Sequence, residues 1–279
     1  MKRRTRQIPL LKAHLSLMAS NIRTYLVYIL LYFYIRALIS PINHFAQSVG
    51  YRPTPFAYVF LCNDEICALF LALGAVALFS SAPFFSKMHK YLAIRTDHKA
   101  LHLSHVLYIC IASGIYVLFC VFSSVLPSIA SGGIDLSTQW GKIWQTLAQT
   151  SAAQEFEMKI GIPAYIPSEY TPLQALGLTM FLQFFFVAFL GMISYIGNSI
   201  HPSVGTILAA AISFLDITIT NLLPYAWYHL SPLSLTRLGV LIGNSVNKAP
   251  CLLYAVLFLP ILCIASGIYI VYSKINTQG

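Results

Sequence analysis

Charge is what this chain has least of. Only 9% of its 279 residues are Asp, Glu, Lys or Arg, and the acids number eight, well below the roughly 25% charged fraction of soluble domains. With 58% hydrophobic residues, that shortage excludes an ordinary soluble globule. A membrane β-barrel is excluded as well, because its strands alternate apolar and polar residues, whereas residues 180–190 are apolar on every side apart from Gln183. Catalytic signatures are missing too. There is no G-x-x-x-x-G-K-[ST] phosphate loop, no H-E-x-x-H, no G-x-S-x-G and no paired acids with histidine of the intramembrane-protease kind. The six cysteines, Cys62, Cys67, Cys110, Cys120, Cys251 and Cys263, all fall in apolar runs, so neither a disulfide framework nor a metal motif is predicted.

What the chain has in abundance is apolar length. Six runs, at about 25–40, 56–79, 106–129, 173–196, 204–223 and 251–272, meet or approach the roughly 20 residues that carry a helix across about 30 Å of hydrocarbon. Helices satisfy their own backbone polar groups in lipid. The predicted fold is therefore an all-α integral membrane protein, one transmembrane domain over 1–279 with six transmembrane helices. No small-residue cleavage site follows the first run, which is expected to remain as an anchor.

Positive charge is unevenly spread between the two sets of loops. Lys2, Arg3, Arg4, Arg6, Lys12, Arg23, Lys87, Lys90, Arg95, Lys99 and Lys274 fall on one side; Arg52, Lys142, Lys159, Arg237 and Lys248 fall on the other. The excess marks the cytoplasmic side, which predicts that both termini are cytoplasmic. The net charge of +9 is then a signal of topology and of contact with membrane lipid, and no nucleic-acid partner is expected.

Three segments between the runs are amphipathic. Ile8, Leu11, Leu15, Met18 and Ile22 form one stripe, predicting an interfacial helix at 8–22. After Pro83, which should end the second span, Phe84, Phe85, Met88, Tyr91 and Leu92 recur at helical spacing. Such an aromatic and Met-rich face suits either a partner protein or the membrane surface. On the opposite side Trp140, Ile143, Trp144 and Leu147 make a stripe, and tryptophans one turn apart suit the headgroup region. The segment 224–250 has enough aromatic and Leu residues to dip partly into the membrane. His98, His102 and His105 are spaced so that two neighbours could share a metal, but no acid stands at matching spacing.

A few charges lie where they are costly. Arg36, Asp64, Glu65 and Asp216 fall inside apolar runs, where a charge at the centre costs roughly 2.5–3.5 kcal/mol. Each should face protein or water. The simplest pairing is Arg36 with Asp64 or Glu65. Asp216 has no obvious partner nearby in sequence, and is expected to be protonated, to meet a second chain or to serve a proton relay.

In order along the chain, Phe79-Ser-Ser-Ala-Pro-Phe-Phe, Tyr91-Leu-Ala-Ile-Arg-Thr, Gln139-Trp-Gly-Lys-Ile-Trp-Gln-Thr-Leu-Ala-Gln-Thr, Tyr170-Thr-Pro-Leu-Gln-Ala and Leu230-Ser-Pro-Leu-Ser-Leu-Thr-Arg resemble the membrane subunit of a type 2 ABC exporter, in particular the small six-helix permeases of Gram-positive bacteria. The resemblance implies a permease of the bacterial cytoplasmic membrane with no catalysis of its own. Phe84, Phe85, Met88, Tyr91 and Leu92 would form a cytoplasmic coupling helix docking on a separate ATP-binding subunit, and Trp140 and Trp144 would belong to an extracellular gate. This chain would bind no cofactor, ATP and Mg being held by the partner, and a second permease protomer would complete a homo- or heterodimer. The weakly charged, aromatic spans favour a hydrophobic peptide, antimicrobial or lipid-like substrate. Two alternatives stand beside it: a non-transporting immunity or sensory subunit, and a proton-coupled secondary transporter using Asp216.

Overall fold

A computed structural model of the chain describes residues 11, 15–16, 18, 20–82, 98–241 and 250–272. Among these residues every regular element is helical and none is a strand. Five helices are long and apolar enough to cross a membrane: α1 (Ile22–Val49), α4 (His98–Ala130), α8 (Pro172–Ile200), α9 (Val204–Leu222) and α11 (Leu252–Tyr272). Their outward faces carry large apolar residues such as Leu30, Phe33, Leu118, Phe122, Leu257 and Ile264. The protein is a multi-pass membrane protein.

The helices begin and end where local chemistry dictates. Asn21 caps α1, its side chain accepting the Arg23 amide at 3.0 Å, and Gly50 ends it in the left-handed conformation at φ 74°, which costs glycine little. Pro172 opens α8 at the position where proline loses no helical hydrogen bond. Leu11, Leu15 and Met18, ahead of α1, are helical and pack on the core. At about 1.5 Å per residue, the 28 residues of α1 and the 33 of α4 exceed the hydrocarbon thickness, so both emerge from it. The third apolar run, at 106–129, is one helix with the histidine-bearing stretch that leads into it, helical from His98 among the described residues, because apolar content marks only the lipid-embedded part of a helix.

The second run is not one span-long helix. It divides into α2 (Ala57–Asn63) and α3 (Glu65–Phe79), which meet at 92°. Asp64 makes the corner: its extended backbone (φ −71°, ψ 131°) stops α2, and its carboxylate accepts the Cys67 amide at 3.0 Å to cap α3. Every residue of α2 is buried.

Above α2 sit three short helices, α5 (Gly141–Gln149), α6 (Ala152–Glu155) and α7 (Tyr165–Glu169). Trp140 and Trp144 do not face headgroups as expected. Both are buried, with ring centroids 5.3 and 4.9 Å from Phe60 of α2. Their indole nitrogens donate to the Tyr170 and Thr54 carbonyls at 2.8 and 3.1 Å. An amphipathic stripe shows that one face is covered, and here the cover is protein.

Helices α8 and α9 are antiparallel neighbours joined by a tight turn at His201–Ser203, where Ser203 has φ 73°. Gly197 and Gly205 cross backbone to backbone, leaving no room for a Cβ on either. At the same end Asn198 donates to the Ala82 carbonyl at 2.8 Å and accepts the Thr206 amide at 3.2 Å. One side chain thus ties together the ends of α3, α8 and α9.

Candidate functional site

Asp216 and Phe186 are equidistant from the Gly197–Gly205 crossing, which sets Asp216 level with the midpoint of α8. Helix α9 stops six residues later at Leu222, short of the α8 end. The space beyond is filled by the chain itself. Residues 223–237 fold as two 3-10 turns, Tyr225–Leu230 and Ser234–Thr236, followed by α10 (Leu238–Leu241). Ser231, Leu233, Ser234, Leu235 and Thr236 are completely buried, and Gln183 of α8 donates to the Thr236 hydroxyl at 3.1 Å. The segment expected to dip into the membrane therefore reaches the middle third of α8.

There the charges meet. The Arg237 guanidinium pairs with Asp216 at 3.1 Å, and the two side chains are 12% and 0% exposed. Arg237 also donates through Nε to the Asn63 carbonyl at the end of α2, at 3.1 Å. The second carboxylate contact comes from hydroxyls: Ser231 donates to Asp216 Oδ1 at 3.3 Å and Ser234 donates to the same oxygen. Asn63 accepts the Gly239 amide on its side-chain oxygen at 2.7 Å. A Cβ at Gly239 would collide with Asn63 and would come within 2.6 Å of the Tyr165 hydroxyl of α7, so any larger residue here must displace the Asn63 side chain and the bond it accepts. The end of the bent α2, the buried 223–237 segment and helix α9 are thus fastened to one another at a buried ion pair. Non-helical backbone at such depth is tolerated only where protein or a water-filled cavity surrounds it.

The predicted polar residues have other partners than those expected. Arg36 is exposed on α1 and forms no ion pair with Asp64 or Glu65 among the described residues. Asp64 is occupied as a cap, its second oxygen accepting the Gly161 amide at 3.2 Å. Glu65 accepts from Asn221 at 3.0 Å, linking α3 to α9. Asp216, for which no partner was apparent nearby, is matched by Arg237, a residue the sequence places with exposed loop charges. His102 and the Tyr195 hydroxyl are 3.0 Å apart; among the described residues no group of three or more His, Cys, Asp or Glu side chains could hold a metal. Phe84, Phe85, Met88, Tyr91 and Leu92 lie outside the described residues.

Nothing matches. No protein-family model, curated protein or solved structure matches this chain.

The residues that sequence reasoning did not assign to the site are Arg237, Ser231 and Ser234; Asn63, which the sequence marks beside Asp64 and Glu65 as a polar residue in need of a partner, finds it in Arg237 and Gly239. A signal existed for them: a lone arginine embedded among leucines and hydroxyl residues, Leu-Ser-Pro-Leu-Ser-Leu-Thr-Arg-Leu, in a segment too apolar for an aqueous loop.

Proposed function

We propose that this chain is the membrane-spanning permease subunit of an ATP-driven exporter in the bacterial cytoplasmic membrane. In this reading the bent α2–α3 pair counts as a sixth span, and both termini are cytoplasmic, as the Lys and Arg distribution favours. The segment containing Phe84, Phe85, Met88, Tyr91 and Leu92 docks on a separate ATP-binding subunit, which holds ATP and Mg. A second permease protomer completes the path for a hydrophobic peptide, antimicrobial or lipid-like substrate.

The supporting observation is the convergence of α2, α9 and the 223–237 segment on the Asp216–Arg237 pair. Broken helices and re-entrant loops that meet near the membrane midplane are characteristic of transport paths, where discrete pieces move against one another. Trp140 and Trp144, packed over α2, fit a cover at the outer end of such a path. The same geometry also suits a proton-coupled carrier, but neutralising Asp216 removes the carboxylate that the largely buried Arg237 guanidinium is paired with, a costly step for a cycle.

The test is copurification. Tagged full-length protein, expressed together with its neighbouring genes, is expected to bring down an ATP-binding subunit, and Phe85→Asp or Met88→Asp is expected to release it without lowering the yield of folded permease. Absence of any such subunit, with activity unaffected by both substitutions, refutes the reading. Uptake that requires a pH gradient and disappears in Asp216→Asn favours the proton-coupled carrier instead.

A further inference from the structure

A second polar site lies away from the Asp216 joint, on the face of the membrane where α1 and α4 end. A cavity of about 190 Å³ is bounded by Asn43, Gln47, Tyr51, Arg52, Ser128 and Ser131, with Gly132 and Gly133 as its floor. Liquid water occupies about 30 Å³ per molecule, so the cavity has room for roughly six, far more than one bridging water needs. It is smaller than the roughly 300–1,000 Å³ of pockets for drug-sized ligands. A compact polar group fits.

The lining fixes the sign of that group. Asn43 and Ser128 are buried and hold each other, Ser128 donating to Asn43 Oδ1 at 2.8 Å. The Arg52 guanidinium is exposed and forms no ion pair among the described residues. It lies beside Gly133, at φ 96°, where an added Cβ would come within 3.5 Å of its Nε. A second cation stands at the rim: Lys142 donates to the Tyr51 hydroxyl at 2.9 Å, and its hydrogen bond and charge hold that phenol below its ordinary pKa. No acid lines the cavity. Asp135, whose amide donates to the Pro53 carbonyl, turns its carboxylate to the Ser137 amide. Exposed Val49, Ile129 and Leu136 flank the cavity in sequence, so apolar surface adjoins a cationic pocket.

We infer that this pocket binds a phosphate-sized anionic group, with Arg52 as its main charge partner and the Asn43, Gln47 and serine side chains as neutral neighbours. Guanidinium matches phosphate geometry with parallel hydrogen bonds. The phosphate is carried either by a lipid headgroup or by a free anion, and the inference does not depend on the transport reading.

Two probes separate these sources. Full-length protein in neutral detergent is titrated with inorganic phosphate and followed by thermal unfolding. The same protein reconstituted with phosphatidylglycerol or with phosphatidylcholine alone is then extracted and weighed by native mass spectrometry. Saturable protection by inorganic phosphate identifies a free anion; retention of phosphatidylglycerol that phosphate does not displace identifies a headgroup. In either case Arg52→Gln should weaken binding about tenfold or more, the size of one charge-assisted hydrogen bond. Arg52→Lys should keep part of it, and Ser131→Leu should abolish it by filling the pocket while every charge remains. Arg52 is exposed, so its variants should elute as folded protein. Equal binding by wild type, Arg52→Gln and Ser131→Leu, or no binding of either probe to wild type, overturns the proposal.

Discussion

Breaking the Asp216–Arg237 pair from one side should cost more than removing it altogether. In Arg237→Met, Asp216 keeps its two serine donors but loses the one cation paired with it among the described residues. The carboxylate is wholly buried, and a buried charge stripped of its partner costs about 3–5 kcal/mol. Asp216→Asn leaves the largely buried Arg237 guanidinium without its ion-pair partner, with the Asn63 carbonyl and the nearby charge of Glu65 remaining, so a loss of up to similar size follows. At about 1.4 kcal/mol per factor of ten, 3 kcal/mol multiplies the unfolded fraction about 150-fold. The double variant Asp216→Asn, Arg237→Met carries no charge at either of the two positions. What it loses is the hydrogen bond to Asn63 and part of the serine contacts, at about 1 kcal/mol each. The double variant should therefore be more stable than either single one, with a coupling of about 2 kcal/mol or more. Reversible unfolding of full-length protein in mixed micelles with increasing dodecyl sulfate measures all four species. Additive single effects, with coupling below about 0.5 kcal/mol, would refute the claim that the two charges depend on each other.

The corner at Asp64 and the crossing at Gly205 can be tested the same way. Asp64→Ala removes the cap of α3 and the bond to Gly161, for a loss of about 1–2 kcal/mol, and should raise the rate at which a thiol reagent labels buried Cys67; Asp64→Asn should retain most of both properties. Gly205→Ala forces a Cβ against the α8 backbone at Ser194 and Asn198 and should lower stability by about 1–3 kcal/mol. Gly177→Ala, in the same α8 helix but with nothing within 4 Å of the new methyl, should be neutral or stabilising by up to about 1 kcal/mol. Equal melting temperatures for the two alanine variants would remove the case for a close backbone crossing.

The apolar runs were legible because lipid imposes a simple demand: a helix long enough to cross and without exposed backbone. Even so, the run at 56–79 misleads, since its length and composition are those of a span while Asp64 divides it. The letters for the break are present. Aspartate followed by glutamate inside an apolar run is the signature of a capped helix start, but in a membrane context it is read first as two costly charges in need of ion pairs. Arg237 is harder. It lies 21 residues beyond Asp216, in a segment with no strong helical period, and nothing local distinguishes a loop that lies on a membrane from one that turns back into it. For Trp140 and Trp144 periodicity identified the buried face correctly and not what buries it. That depends on where α2 goes once Asp64 has turned it, a three-dimensional fact with no one-dimensional trace.

The early end of α9 has a consequence for biogenesis. Arg237 cannot rest at its depth until something negative is waiting there, and its acceptors, the Asn63 carbonyl and the Asp216 carboxylate, belong to parts of the chain that leave the ribosome earlier. Segment 223–237 therefore depends for its seat on helices that are all synthesised before it. A chain ending just after Leu222 holds Asp216 but none of Ser231, Ser234 and Arg237, the side chains that contact its carboxylate, so the first nine helices do not by themselves complete the site.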